Sequence, residues 1–349
     1  MCGSSWVQQD RHGFVKDRGQ VGERGGVLFD SGDRHGGHGA DGCGGAQQES
    51  VDAVAAYAAG EVRRQTRPAL LKRWIGLNLR QLRQEAGKER SEVMQRLGLS
   101  RAQVGHLETG ERLPSKPVLE ILLDFYGKPD RLPDFLRIVE AARKGKNWWD
   151  RLSGAVPPWF DLFLGLEAGA AEVFSFDPYV VPGLLQTPAY AEAVIRADPE
   201  LTDEQVQQRV ELRLGRQNIL DRNEDPVRLW AIIDESVLHR PRGDTEVMTE
   251  QLNHLIKLCE RPRIDLQILP LKAGAHLAQS GGFQILKFPS EMAGDPGVVY
   301  LEGLVEGRYY EKPDEVALYE RALTRLRVQA ANQEDSQAML RQAAQEVHK

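Results

Sequence analysis

The chain has 349 residues, 41% of them apolar and 28% charged, with a formal net charge of −6. That length favours two domains over one. The composition is that of an ordinary globular protein, and the net acidity excludes a molecule that binds polyanions over its whole surface. Taken in order, residues 1–50 hold 13 of the 34 glycines and almost no apolar periodicity, too little burial to offset the entropy of ordering. Residues 1–66 are therefore expected to be a disordered Gly-rich tail, with a weak Ala-rich helix over 51–60. His35, His38 and Cys43 in RHGGHGADGCGG have metal-ligating chemistry, but a polar tail is the simpler reading, and neither a metal nor a cofactor is expected. No Met lies between Met1 and Met94, so a start placed too far upstream, with initiation near Val51, Val54 or Val62, is an alternative reading.

A helical region opens near Pro68, a residue tolerated in a first turn. Ile75, Leu79, Leu82 and Ala86 follow at i, i+4, i+7 and i+11, one face of an amphipathic helix that Gly87 ends. From Gly87 to Gly110 the sequence GKERSEVMQRLGLSRAQVGHLETG reads as two short helices around a tight turn. Val93, Met94 and Leu97 face inward on the first, and Gly98 supplies a left-handed stop. Leu99 packs the turn and Ser100 caps the second helix. Val104 and Leu107 face inward there, which leaves Arg101, Ala102, Gln103, Gly105 and His106 outward. A short helix on a turn, with its N-terminal residues free, is the device that enters the DNA major groove. Charge agrees: from Arg63 to Lys116 thirteen Lys and Arg stand against five Asp and Glu, a balance of +8 that leaves −14 for the rest. Helices over 118–126 and 132–144 complete a five-helix, all-α domain spanning 67–146.

Residues 144–147 read as a linker, and a second domain is expected over 147–349. Trp148, Trp149, Trp159 and Phe160 cluster at its start, where packing of the domain boundary is favoured over an exposed binding patch. Helices are expected over 160–171, from a Thr187 cap, and over 202–221, 247–260, 316–329 and 336–347. Strands are expected over 172–176, 228–234, 264–269, 283–288, 298–301 and 304–310. The elements mix without a strict βαβ rhythm, which makes this domain α+β. Cys2, Cys43 and Cys259 are odd in number and widely spaced, so they support neither a disulfide framework nor a zinc site and point to the reducing cytoplasm. No apolar run reaches the roughly 18 residues a membrane span needs, and no signal-peptide core is evident.

Two resemblances follow from these motifs. Residues 68–127 resemble the Xre-type, lambda-repressor-like helix-turn-helix domain, on LRQLRQEAG, EVMQRLGLS and VGHLETG. Residues 148–349 resemble the C-terminal domain of unknown function in many actinobacterial Xre-type regulators, a domain linked to toxin–antitoxin-like regulation. The motifs are LEAGAAEVFSFDPYVVPGLLQTPAYA, RVELRLGRQ, DESVLHRP, EQLNHLIKLCERPRIDLQILP, GGFQILKF and VVYLEGL, in that order. The resemblance implies a sequence-specific transcriptional regulator of double-stranded DNA with a small antagonist protein encoded nearby. It implies that Arg101, Ala102 and His106 face bases, and that Arg90, Ser100, Gln103, Arg112 and Lys116 face phosphates. It also implies that Arg83 and Glu108 form a structural ion pair. A single module offers limited area for specificity, so a homodimer is expected.

In the second domain Arg209, Arg213 and Arg216 fall at i, i+4 and i+7. They are candidates for an anionic ligand, a partner or the DNA backbone, but pairing with nearby acids such as Glu211, Asp234 or Glu235 is the favoured reading. Asp234, Glu235 and His239, or His276 and Ser280, have acid–base chemistry, but no nucleophile elbow, HExxH or phosphate-binding loop accompanies them. No enzymatic activity is expected. Control of DNA binding by a partner protein is the leading reading, a ligand pocket in the C-terminal domain the alternative, and a DNA-tethered enzyme the third.

Overall fold

The computed structural model describes residues 68–347 apart from Glu224 and Ala293; the expectations for the N-terminal tail, its metal-type residues and its start lie outside the described residues. Five α-helices build the first domain: α1 (Pro68–Glu85), α2 (Arg90–Leu97), α3 (Arg101–Thr109), α4 (Lys116–Phe125) and α5 (Leu132–Lys144). Their apolar faces meet in one cluster in which Trp74, Ile75, Leu119, Leu123, Phe135 and Ile138 are buried. Side chains of this size contribute about 1.5–3 kcal/mol each on burial. Trp74 and Phe135 bind α1 to α5, their rings 5.5 Å apart.

The second domain is α+β and opens with α6 (Pro158–Gly169) and β1 (Glu172–Asp177). Two helices, α7 (Pro188–Ile195) and α8 (Asp203–Gln217), lead to β2 (Arg228–Asp234). A short α9 (Ser236–His239) and α10 (Thr245–Leu258) lead to β3 (Ile264–Leu269). The chain closes with β4 (Phe283–Lys287), β5 (Val298–Glu302), β6 (Gly307–Tyr310), α11 (Pro313–Gln329) and α12 (Gln333–Glu346). The six strands form one sheet in the order β3-β2-β1-β4-β5-β6. β1, β2 and β3 run parallel, joined by helical crossovers, a regularity that the sequence reading did not anticipate. β4, β5 and β6 are antiparallel, and β4 lies against β1. The expected strand over 304–310 is shorter, because 303–306 makes the turn between β5 and β6.

Strand alternation sends two sets of side chains to two cores. Val173, Leu229, Ala231, Ile233, Leu266, Leu286 and Val298 face the larger one, with residues of α6, α8, α10 and α12. Phe176, Ile232, Phe283, Ile285 and Val299 face the other, which α11 covers with Val316, Leu323 and Leu326. Of the tryptophans at the domain boundary, Trp149 is buried and donates from Nε1 to Asp161 Oδ1 at 2.7 Å. Trp148 is partly exposed, and its ring lies over Gly215 of α8.

The two domains share α1. One side of it packs on the first-domain core, and Ala69 and Leu70 meet Gly165 and Gly169 of α6. Arg73 extends from α1 into the second domain. Its Nε and Nη2 donate to the Asp295 carboxylate at 2.6 and 2.7 Å, and Nη1 donates to Glu311 Oε1 at 2.5 Å. The Phe288 ring lies 5.0 Å from its guanidinium.

Candidate nucleic-acid interface

α3 is set by its two ends. Ser100 Oγ accepts from the Gln103 amide at 3.3 Å, and Gln103 Oε1 accepts from the Ser100 amide at 2.9 Å, a reciprocal capping box. At the other end Gly110 adopts φ 78°. A Cβ there would lie 2.3 Å from the Lys72 carbonyl oxygen, and one on Gly76 would lie 2.5 Å from the Gly110 amide nitrogen. The backbones of α1 and the end of α3 therefore touch through two glycines, which fixes the angle at which α3 leaves the domain.

The inner face of α3 carries Val104, Leu107 and Glu108, all buried. Glu108 joins three helices. Its Oε1 accepts from Arg83 Nε of α1 at 2.7 Å, and its Oε2 accepts from Arg90 Nε of α2 at 2.8 Å. Arg83 also donates from Nη1 to the Lys88 carbonyl at 2.7 Å, closing the α1–α2 turn. Burial first, and then the Glu108 carboxylate, raise the pKa of the Tyr126 phenol, with Arg83 opposing. Tyr126 is neutral under this load.

The outer face is open. Arg101, Ala102 and His106 are exposed, with Thr109 beside them. Arg101 makes no ion pair among the described residues, while His106 Nε2 lies 3.3 Å from Glu111 Oε2. Arg112 and Lys116 are exposed beyond the helix, and Lys116 Nζ lies 3.8 Å from Glu120. The residues expected at phosphates separate into two groups. Ser100, Arg112 and Lys116 are exposed and Gln103 half-buried, whereas the Nε of Arg90 is engaged inward by Glu108. That bridge leaves no local signal, because Arg90 and Glu108 come together only when α2 and α3 are packed.

The arginine row of α8 is placed differently from expectation. Arg216 is buried and does not pair with Glu211, Asp234 or Glu235. It donates from Nε and Nη2 to both oxygens of Glu167 on α6, each at 2.8 Å, and its guanidinium lies 5.3 and 5.2 Å from the Phe160 and Phe163 rings. Burial alone would lower its pKa, but Glu167 more than offsets this and the net shift is upward. Arg213 donates from Nη1 to Gln186 Oε1 at 3.0 Å, and burial with the adjacent Arg216 depresses its pKa to about 10. Arg209 is half-buried on the same helix. The expected acids are occupied elsewhere: Glu211 by Arg151, Asp234 by Ser236, and Glu235 by the Leu271 amide.

A capped helix with a locked inner face and an open outer one defines the class, and residues 74–135 match the helix-turn-helix domain family. The chain is a DNA-binding helix-turn-helix regulator. Residues 160–342, more than half its length, match the domain of unknown function DUF5753, and the chain belongs to that family. No curated protein and no solved structure matches it. Among the described residues no helix is long and apolar enough to cross a membrane.

Proposed function

We propose that α3 reads base-pair edges in the major groove, with Arg101 and His106 donating toward guanine and Ala102 resting on a thymine methyl. Ser100, Gln103, Arg112 and Lys116 donate to phosphates at the rim of the same face. Arg90 serves the scaffold first, and only its exposed portion reaches the backbone. The observation that carries this reading is the division of α3 into two faces. Glu108 is held by two arginines on one side, and Arg101 stands exposed at the first helical position on the other. One module covers one half-site, so the regulator acts as a homodimer on half-sites about 34–36 Å apart.

The finer identity follows the resemblance: an Xre-type, antitoxin-like regulator of actinobacterial kind, cytoplasmic and without catalytic activity. It is controlled through the C-terminal domain by a small partner protein encoded nearby. A ligand in that domain is the second reading, favoured by a polar cluster on the sheet described below. In either case the signal reaches α3 through α6 and α1.

Selection of binding sites from random duplexes, with wild type and Arg101→Ala, tests the proposal. The wild type selects a two-fold symmetric site. The variant loses about 1–3 kcal/mol of discrimination at one base position per half-site. Equal retention of wild type on every duplex, abolished by salt, would refute specific reading.

A further inference from the structure

The larger core has a polar interruption. Ser175, Gln284 and Tyr300 lie opposite one another on neighbouring strands β1, β4 and β5, among side chains that are otherwise apolar on that face. Asp177 and Glu302 stand two residues further along β1 and β5 and therefore on the same face. Ser175 and Tyr300 are 2% and 1% exposed. Gln284 Oε1 and Tyr300 OH are buried without a hydrogen-bond partner, and so is Arg242 Nε, whose Nη2 reaches the Tyr179 carbonyl in the segment after β1; the Ser175 hydroxyl and the buried Asp177 carboxylate lie side by side on β1. Leaving such groups unpaired costs about 1–3 kcal/mol each, so several gathered on one face call for a partner from outside the fold, whether water or ligand.

Their place in the topology is informative. β1 has a parallel neighbour on one side and an antiparallel one on the other, so the sheet changes strand direction at β1, whose carboxyl end carries Asp177. Glu302 is exposed at that end, and the Asp177 carboxylate beside it is buried.

Charge selects the ligand. Arg216 is committed to Glu167, Arg213 feels the Glu302 carboxylate, and Asp177 feels Glu302 and Arg216, which act on it with opposite sign. A ligand of either sign meets a like charge. A neutral molecule whose hydroxyls both donate and accept satisfies the Asp177 and Gln284 acceptors, the Ser175 and Tyr300 hydroxyls and the Arg242 donor together. We propose that Ser175, Asp177, Gln284 and Tyr300 bind a small uncharged polyhydroxylated molecule of the sugar or cyclitol class. This deepens the second reading above and rests on it.

The full chain is titrated calorimetrically with glucose, galactose, ribose and myo-inositol, and with glucosamine and glucuronate as charged counterparts. At least one neutral probe binds, and Tyr300→Phe and Gln284→Leu each weaken it roughly fivefold to tenfold, the equivalent of one hydrogen bond. Melted without probe, Tyr300→Phe is as stable as wild type or more so, since the hydroxyl it loses has no partner; a purely structural tyrosine would lose stability. Binding of a charged counterpart alone overturns the polyol class and leaves the ligand reading standing. Absence of binding by every probe, or neutral-probe binding that neither variant alters, overturns the site.

Discussion

Replacing Glu108 by alanine removes a carboxylate that two arginines share. Its side chain is 3% exposed and that of Arg83 9%, whereas that of Arg90 is 39% exposed. Removing one partner of a buried pair costs about 3–5 kcal/mol, because the remaining charge is stranded. Arg90 adds at most about 1 kcal/mol, as a pair open to water does. With about 4–8 °C of Tm per kcal/mol in a domain of the first domain's size, Glu108→Ala lowers that domain's melting temperature by at least about 12 °C. Specific DNA retention falls with it, since α3 loses its tie to both α1 and α2. Thermal unfolding of the full chain by circular dichroism measures the first effect and gel retention the second. The single variants apportion it: Arg83→Ala approaches the loss of Glu108→Ala, and Arg90→Ala stays within about 1 kcal/mol of wild type. A Glu108→Ala protein that melts with the wild type refutes the assignment of the carboxylate as the tie between the three helices.

Gly76→Ala drives a Cβ to within 2.5 Å of the Gly110 nitrogen, forces α1 and α3 apart at a cost of about 1–3 kcal/mol, and weakens DNA binding. Gly105→Ala, on α3 with nothing within 4 Å of its Cβ, gains about 0.5–1 kcal/mol; comparative melting of the two separates contact from propensity, and equal effects contradict the close approach. Arg73→Ala strands the Asp295 carboxylate, 2% exposed, and costs about 3–5 kcal/mol, read as faster hydrogen exchange in α1; unchanged exchange counts against the inter-domain tie. For Asp177, burial raises the pKa from 3.8 to about 7, with Ser175 opposing, Glu302 adding and Arg216 opposing. The folded state then holds a proton that the unfolded state has released, so stability falls as pH rises from about 4 to about 7 and levels off above. Asp177→Asn lacks that fall, and its Tm advantage over wild type opens across this window; a difference independent of pH contradicts the shift.

The first domain was legible because its signals are local. The spacing of Val93, Val104 and Leu107, the stop at Gly98 and the cap at Ser100 all lie within one or two helical turns of what they control. The crossing of α1 and α3 was not legible: the sequence marks Gly110 as a helix end and does not mark Gly76, and their contact exists only once the two backbones meet. In the second domain the strands could be found by alternation, but their order could not, because register joins segments as distant as Val173 and Leu286. Arg216 shows the same limit, since its partner Glu167 lies 49 residues away on another helix. The polar cluster did leave a trace. Ser175 in EVFSFD and Gln284 in FQILK are polar residues at positions whose alternation points inward, and that mismatch between residue type and face was the available signal.

Control of the DNA-reading face has few routes. α3 touches α1 at backbone distance and is tied to it by Glu108 and Arg83, so α3 cannot tilt while α1 stays fixed without breaking a buried ion pair. α1 is in turn seated on α6 and anchored by Arg73. Of these elements α6 alone reaches both sides: its small residues Gly165 and Gly169 receive α1, and its Glu167 holds Arg216 at the polar cluster. A partner or ligand that displaces Arg216 acts on the helix against which the DNA-binding domain rests. Packed cores respond to such a displacement as rigid bodies rather than by gradual deformation. Regulation in this chain is therefore expected to reposition the whole first domain, with the internal geometry of its helix-turn-helix conserved.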